Sequence, residues 1–132
     1  MSIDYPIISG DSHFVEPPTM WVERIEAKFR DRAPRSAPGK DGGHYFVCED
    51  IPPEYVWVTS WFAAGKKSED LPQHFKLGWE AAPPSLEDPA ARLREQDRDG
   101  VAAEVLYSTG GIYLFAVKDR DLVMACARAF ND

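Results

Sequence analysis

A carboxylate and an imidazole lie two positions apart near the start of the chain. Asp11 and His13 follow a short apolar run, Tyr5 to Ile8, of the kind found in buried strands. Side chains two positions apart on an extended chain point to the same face. The pair is therefore predicted to project together from a strand end, where α/β folds place their active sites. Both groups are divalent-metal ligands. The alternative is that they only cap neighbouring backbone groups.

Three helices are predicted along the chain. Thr19 is a possible cap for a helix to about Arg30, which carries an apolar stripe. A second helix is predicted between Asp88, a good cap, and Gly100, which suits a left-handed exit. A third helix is predicted after Asp119, with no stop signal before the last residue.

Two strands and a Pro-rich segment complete the predicted elements. Residues 101–107 read as a second strand, in which Glu104 needs a partner if it is buried. The loop 108–111 then lies where a barrel presents a substrate-facing loop. Within the Pro-rich segment, residues 44–48 and 55–59 read as short strands that could pair as a hairpin. Its aromatic side chains are expected to pack this segment against the domain, with a pocket or an oligomer contact as the alternative.

Further stretches add a context to the Asp11 and His13 pair. In chain order, these stretches are Glu16-Pro17, Trp21, Arg92-Leu93, Asp97-Arg98-Asp99-Gly100-Val101, Glu104-Val105-Leu106-Tyr107 and Ala129-Phe130-Asn131-Asp132. Together they resemble the amidohydrolase superfamily. The resemblance is to the branch of metal-dependent hydrolases and decarboxylases related to aminocarboxymuconate semialdehyde decarboxylase, and it spans nearly the whole chain.

The resemblance implies a (β/α)8 barrel with a divalent metal at its mouth. Asp11 and His13 would be the first two protein ligands. Glu16 would lie at the rim, where it would bind substrate or order the next loop, with a capping role as an equal alternative. The resemblance also implies a His from a middle strand and a catalytic Asp from a late strand, for which this chain has no counterpart. Zinc is the expected metal. Manganese and iron are alternatives, because a carboxylate replaces the family's commoner first His.

The length of the chain limits this fold. Its 132 residues suffice for one domain, whereas a complete barrel needs about 250. We therefore expect the α/β fold class and an incomplete (β/α)8 TIM-type barrel, with residues 1–132 as the N-terminal part of one amidohydrolase-like domain. The first two βα units would be residues 5–30 and 89–132, with residues 31–88 inserted as a cover. The partner expected is the missing C-terminal barrel sequence or a complementing chain, and hence an oligomer.

Charge and composition exclude other classes of partner. The chain has 15 basic and 22 acidic residues and a net charge of −7, which argues against nucleic acid and anionic membranes. No apolar run is long enough to span a membrane. Asp4 interrupts any signal-peptide pattern. Cys48 and Cys126 are read as reduced structural residues, and His44 and His74 as surface or capping residues. A cytoplasmic location follows.

The resemblance, together with the length of the chain, implies the N-terminal portion of a metal-dependent hydrolase or decarboxylase. Its substrate would be a small carboxylate, amide or ester, and it would be active only when completed. The alternative is a non-catalytic fragment or assembly subunit of the same ancestry, which keeps Asp11 and His13 as a relic.

Overall fold

The computed structural model describes residues 5–132 of the chain, so Asp4 lies outside the described residues. None of the helices within this range is long and apolar enough to cross a membrane. Short 3-10 helices cover Ala27–Arg32, Val58–Phe62, Trp79–Ala81, Pro84–Leu86 and Gly110–Ala116. The strands and α-helices are β1 (Ile7–Phe14), α1 (Met20–Arg24), β2 (Arg35–Pro38), β3 (His44–Val47), α2 (Leu71–His74), α3 (Pro89–Asp99), β4 (Val101–Ser108) and α4 (Arg120–Asn131).

The strands β1 and β4 pair in parallel, as the sequence predicts. Ile7 lies opposite Val101 and His13 opposite Tyr107. The register shifts between Ser9 and Ser12, because β1 has one more residue than β4 over this stretch, as in a β-bulge. The mixed α/β fold with a small parallel sheet is confirmed. The incomplete barrel stays a prediction.

The two long helices form where their caps predict. Asp88 accepts a hydrogen bond from Ala90 N–H at 2.9 Å, and Gly100 ends α3 with a φ of 72°. Asp119 accepts bonds from the N–H groups of Asp121 and Leu122 at the start of α4. In both cases a local sequence signal was sufficient.

The first predicted helix is broken instead of running to Arg30. The α-helix α1 ends at Arg24, Ile25 is extended with a ψ of 152°, and a 3-10 helix follows. The Thr19 side chain does not cap α1; its hydroxyl donates to Glu23 Oε1 at 2.6 Å. Ile25 and Phe29 are buried despite the break. Burial of these side chains therefore determines the path of the backbone here, and the helical spacing of apolar residues does not.

In the hairpin predicted for the Pro-rich segment, the strand β3 pairs mainly with a different segment. The strand β3 pairs antiparallel with β2. Residues 55–59 contribute one bridge, between Tyr45 and Trp57, and a hydrogen bond from Phe46 N–H to Val56 O at 2.9 Å. The predicted pairing is therefore present, but as a single antiparallel bridge, and β2 forms the longer pairing with β3. Local strand signals do not specify which neighbour pairs over the greater length.

The hydrophobic core lies between α1, α4 and the segment that contains β3. Trp21 is 2% exposed and meets the Phe46 ring edge-on at 6.0 Å between centroids. Its indole N–H donates to Cys126 O at 3.2 Å. Leu122 and Cys126 of α4 are almost fully buried in the same cluster. The expected packing of the Pro-rich segment against the domain is therefore observed.

The parallel sheet, by contrast, is largely exposed. Ile7 and Ile8 are 53% and 64% exposed, and Leu106 is 49% exposed. The apolar run Tyr5 to Ile8 was expected to form a buried strand, and this is wrong within residues 5–132. Each strand of the pair has one hydrogen-bonded neighbour in this range, so each also has an unpaired edge.

Candidate metal-binding site

The predicted ligand pair lies side by side on β1. Asp11 Oδ1 is 3.6 Å from His13 Nε2. The Asp11 side chain is 84% exposed and that of His13 is 43% exposed. The two side chains therefore point the same way, as the spacing predicts, and both are accessible to solvent. Their role as metal ligands stays a prediction.

The donor set fits two positions of a divalent metal site. Two ligand atoms about 2.1 Å from one tetrahedral zinc are separated by about 3.4 Å, close to the 3.6 Å between Asp11 Oδ1 and His13 Nε2. Within residues 5–132, no three His, Cys, Asp or Glu side chains come together as a metal site. The described part of the chain thus offers a pair of ligands.

The second ring nitrogen of His13 meets a residue of the neighbouring strand end. Thr109 Oγ1 is 3.4 Å from His13 Nδ1. The Thr109 N–H also donates to Phe14 O at 3.1 Å, so the backbone of Thr109 is tied to the residue that follows His13. The Nε2 atom remains on the side of Asp11.

Glu16 lies under the loop that carries Thr109. It is 2% exposed. Its Oε2 accepts a hydrogen bond from Gly110 N–H at 2.7 Å, and its Oε1 accepts one from Gly111 N–H at 3.1 Å and another from the Ser108 hydroxyl. These contacts are those expected if Glu16 orders the next loop or caps its backbone N–H groups. The substrate-binding role predicted for Glu16 stays a prediction.

A cleft of about 530 Å³ opens beside the Asp11 and His13 pair. Its walls are mostly apolar, and Asp11 and His13 form part of the lining. Such a concave, mainly apolar space with a few polar groups is typical of small-molecule sites. The lining comprises Gly10, Asp11, His13, Trp21, Tyr107, Ser108, Gly111, Ile112, Leu114, Phe115, Ala127, Phe130 and Asn131.

An ion pair ties the helix α3 to the strand β4. Arg92 Nε donates to Glu104 Oε2 at 2.7 Å, and the Ser12 hydroxyl donates to Glu104 Oε1 at 3.3 Å. Burial by itself would raise the pKa of Glu104, but hydrogen bonds from Arg92, Gln96 and Ser12 outweigh it and lower the pKa. Glu104 therefore has the partner that the sequence required. It also links both strands of the sheet.

The remaining His and Cys residues belong to the core and the Pro-rich segment. His74 is 4% exposed and its Nε2 is 3.0 Å from Thr59 O. Of the surface or capping role expected, the surface position was wrong, and the ring contacts a backbone carbonyl. His44 is half-buried on β3. Cys48 and Cys126 are buried free thiols. Burial raises the pKa of Cys48 to about 12 and that of Cys126 to about 11, consistent with inert structural thiols.

Sequence reasoning identified the loop 108–111 but missed Thr109. A signal was present, because a hydroxyl residue follows directly on the strand paired with the one that carries His13. The carboxyl ends of parallel strands lie at the same edge of a sheet. A Thr in that place is within reach of a ligand on the adjacent strand.

Comparison with family models finds no match, and comparison with curated proteins finds none. Among solved structures, the chain is similar to the crystal structure of an amidohydrolase from Mycobacterium avium subsp. paratuberculosis K-10, with 18% identity and a TM-score of 0.66. The match covers 98% of this chain and 37% of that one. This likeness shows a shared fold. The chain spans little more than a third of the length of the amidohydrolase that it matches.

Proposed function

We propose that this chain is the N-terminal part of a metal-dependent amidohydrolase-like hydrolase or decarboxylase. One observation carries the proposal. The side chains of Asp11 and His13 lie 3.6 Å apart on β1, one strand of the parallel pair. The chain that carries them matches part of an amidohydrolase structure over 98% of its length. The substrate proposed is a small carboxylate, amide or ester, and the cleft beside the pair is the place for it.

Asp11 and His13 would hold the metal, with zinc as the first choice. A bound divalent ion supplies Lewis acidity and lowers the pKa of water. Asp11 would contribute a carboxylate oxygen and His13 its Nε2. The exposed position of Asp11 leaves room for the further ligands that a catalytic site requires.

The proposal includes completion of the sheet by further polypeptide. Both strands of the parallel pair have exposed apolar side chains and an unpaired edge within the described range, which natural proteins usually cover. The amidohydrolase that the chain matches continues well beyond the matched 37%. The covering polypeptide would be either further sequence of the same chain or a complementing chain.

Intact mass and size tell whether such polypeptide exists. We expect the protein as its cells make it to be longer than this chain, or to purify with a second polypeptide. A monodisperse monomer of 14.8 kDa that melts cooperatively would contradict completion.

The second candidate function is a non-catalytic assembly subunit. It is favoured by the absence of a third His, Cys, Asp or Glu beside Asp11 and His13 within residues 5–132. Two ligands alone would bind a metal weakly. A partner that restores no hydrolase or decarboxylase activity would favour this alternative.

Metal content is the test of the proposed ligands. The completed protein is measured by elemental analysis as wild type, His13→Ala, Asp11→Ala and the control Asp97→Ala, which removes an exposed carboxylate of α3. We expect His13→Ala to lose most of the metal, because only weak carboxylate coordination remains. Asp11→Ala should lose somewhat less if water replaces the oxygen. Equal metal in all four proteins would show that the pair is not a metal site.

A further inference from the structure

The geometry points to a positioning role for two serines of β1: we infer that the hydroxyls of Ser9 and Ser12 hold the β-bulge in this strand. Through the bulge they fix the position of the Asp11 carboxylate relative to His13. The part of this inference that concerns metal affinity rests on the proposed function. The part that concerns the bulge does not.

The two ends of the parallel strand pair have the same register. Ile7 lies opposite Val101 at one end. Phe14 lies opposite Ser108 at the other, so both strands advance by the same number of residues between these pairs. A uniform ladder, without a bulge, is therefore available to the chain. Bulges are rare in parallel pairs, so a departure from the uniform ladder needs a local cause.

The middle of the strand pair departs from the uniform ladder. That ladder would place Ser9 opposite Ala103, but Ser9 lies opposite Glu104. The next pair is Ser12 with Leu106, so two residues of β1 face one residue of β4, which defines a bulge. The local pairing is thus shifted by one residue, and the shift brings Ser9 onto the face of the sheet that carries Glu104.

A network of hydroxyl groups accounts for this shift. In a uniform strand, residues three positions apart point to opposite faces, so the hydroxyls of Ser9 and Ser12 could not meet. In the bulged strand their oxygens are 2.7 Å apart. The Ser12 hydroxyl donates its one proton to Glu104 Oε1 at 3.3 Å, so Ser9 donates to Ser12. Arg92 Nε donates to the other carboxylate oxygen at 2.7 Å, which anchors the network on α3.

The bulge contains one of the proposed ligands. Gly10 and Asp11 are the two residues of β1 between the serines. Asp11 shares a face with His13 because of the strand period of two. The 3.6 Å between their side chains, by contrast, depends on the backbone of the bulge. Bulges next to active sites re-aim a side chain in this way. The serines therefore act on Asp11 through the backbone.

The register of the strand pair is the first test. Ser12→Ala removes the hydroxyl, Ser12→Thr keeps it, and Ser68→Ala, at an exposed serine of the Pro-rich segment, is the control. Crystal structures of the completed, metal-free proteins give the register. We expect Ser9 to lie opposite Ala103 in Ser12→Ala and to stay opposite Glu104 in the other two variants. An unchanged register in Ser12→Ala would overturn the inference, whatever the metal does.

A milder variant keeps this test decisive if Ser12→Ala does not fold. Ser9→Ala removes the hydrogen bond between the serines and leaves that from Ser12 to Glu104 in place. We expect position 9 to move opposite Ala103 in this variant too. If it stays opposite Glu104, the serine pair does not hold the bulge and the inference is overturned.

Zinc affinity, measured by competition with a chelator, is the second test. A residue that orients a metal ligand typically contributes about 10- to 100-fold in affinity. Because Ser12 acts through the backbone, we expect Ser12→Ala to lose about 10-fold and Ser12→Thr to recover it. The double variant of Ser12→Ala with Asp11→Ala should bind zinc as Asp11→Ala alone does. Losses that simply add would show that Ser12 does not act through Asp11.

The two tests separate this inference from the proposed function. If wild type binds no zinc while Ser12→Ala shifts the register, the proposed function fails and the role of the serines in the bulge stands. If wild type binds zinc and Ser12→Ala binds it equally well with an unchanged register, the positioning role fails and the proposed function stands. A shifted register with unchanged zinc affinity would overturn the part of the inference that concerns Asp11.

Discussion

The molecule consists of two regions that differ in how they bury their apolar side chains. The packed region comprises α1, the hairpin β2–β3, the Pro-rich segment up to residue 88 and α4, where Leu122 is 1% exposed and Cys126 is fully buried. The open sheet comprises β1, β4 and the helix α3, where Ile8 is 64% exposed and Leu106 is 49% exposed. The Pro-rich sequence, which has the weaker secondary-structure signals, supplies much of the packed region.

The region that contains most of the core is not the region that carries the proposed ligands. The packed region has its own core and accounts for most of the buried apolar surface. The proposed ligands Asp11 and His13 lie on the open sheet, which has little cover within the described residues. Glu16 joins the two regions, because it follows β1 in sequence, is buried, and holds the loop after β4. The packed region thus supports one end of a sheet that is otherwise open.

The largest effect on stability is expected from truncation of a side chain in the core. Leu122→Ala should lower the free energy of unfolding by about 2–5 kcal/mol, because it removes a fully buried side chain and leaves a cavity. The matched change in the open sheet, Leu106→Ala, should cost less than about 1 kcal/mol because half of that side chain is already exposed. Urea denaturation of both variants is the measurement. Equal losses would show that the two regions do not differ as described.

An intermediate effect is expected where α3 is tied to the sheet. Glu104→Gln should lower the free energy of unfolding by about 1–2 kcal/mol, since Arg92 and Ser12 lose a charged acceptor in a partly buried place. The exposed Glu87→Gln is the control and should leave stability unchanged. A neutral result for Glu104→Gln would indicate that the open sheet does not depend on this ion pair.

A smaller and local effect is expected at the cap of α3. Asp88→Ala should cost about 1 kcal/mol through the loss of a side-chain acceptor at the helix start. If the two regions open separately, amide exchange should accelerate in α3 and stay unchanged in α4. Exchange that accelerates equally in both helices would mean that the regions unfold as one unit.

The smallest effect is expected from a partly exposed charge cluster in the packed region. Arg32 bonds to Glu49 at 2.6 and 2.7 Å and to Asp119 at 2.8 Å. These hydrogen bonds hold the pKa of Glu49 and that of Asp119 below their ordinary values of 4.5 and 3.8. A carboxyl group whose pKa is lowered by folding stabilises the folded state at pH values above its ordinary pKa. This stabilisation is lost as the pH falls through the lowered pKa.

Arg32→Gln tests this charge cluster. Its melting temperature should be below that of wild type at neutral pH, and the gap should close as the pH falls below about 4. Thermal melts between neutral and acidic pH give the comparison, with Arg120→Gln on the exposed start of α4 as the control. A gap that stays constant into acid would show that the effect of Arg32 does not come from these two carboxylates.

Local signals were enough for several elements. The cap and exit residues of α3 and the cap of α4 specified both helix starts, because a cap acts through bonds to residues two or three positions away. The parallel pairing of β1 and β4 followed from the intervening helix, and it is confirmed. The side-by-side placement of Asp11 and His13 followed from the strand period of two. No signal that acts over two or three positions could reveal that Ile25 is extended, because this conformation depends on the core into which its side chain packs.

Neighbouring residues along the chain were enough to specify the helix caps, the second strand and the shared face of Asp11 and His13. The fold of the whole chain, by contrast, specified the partner of β3, the burial of Glu16 and the contact of Thr109 with His13. The Glu16 to Gly110 bond joins residues 94 positions apart. A carboxylate reads the same in a sequence whether it faces solvent or a loop, and its role depends on which backbone groups the fold brings to it.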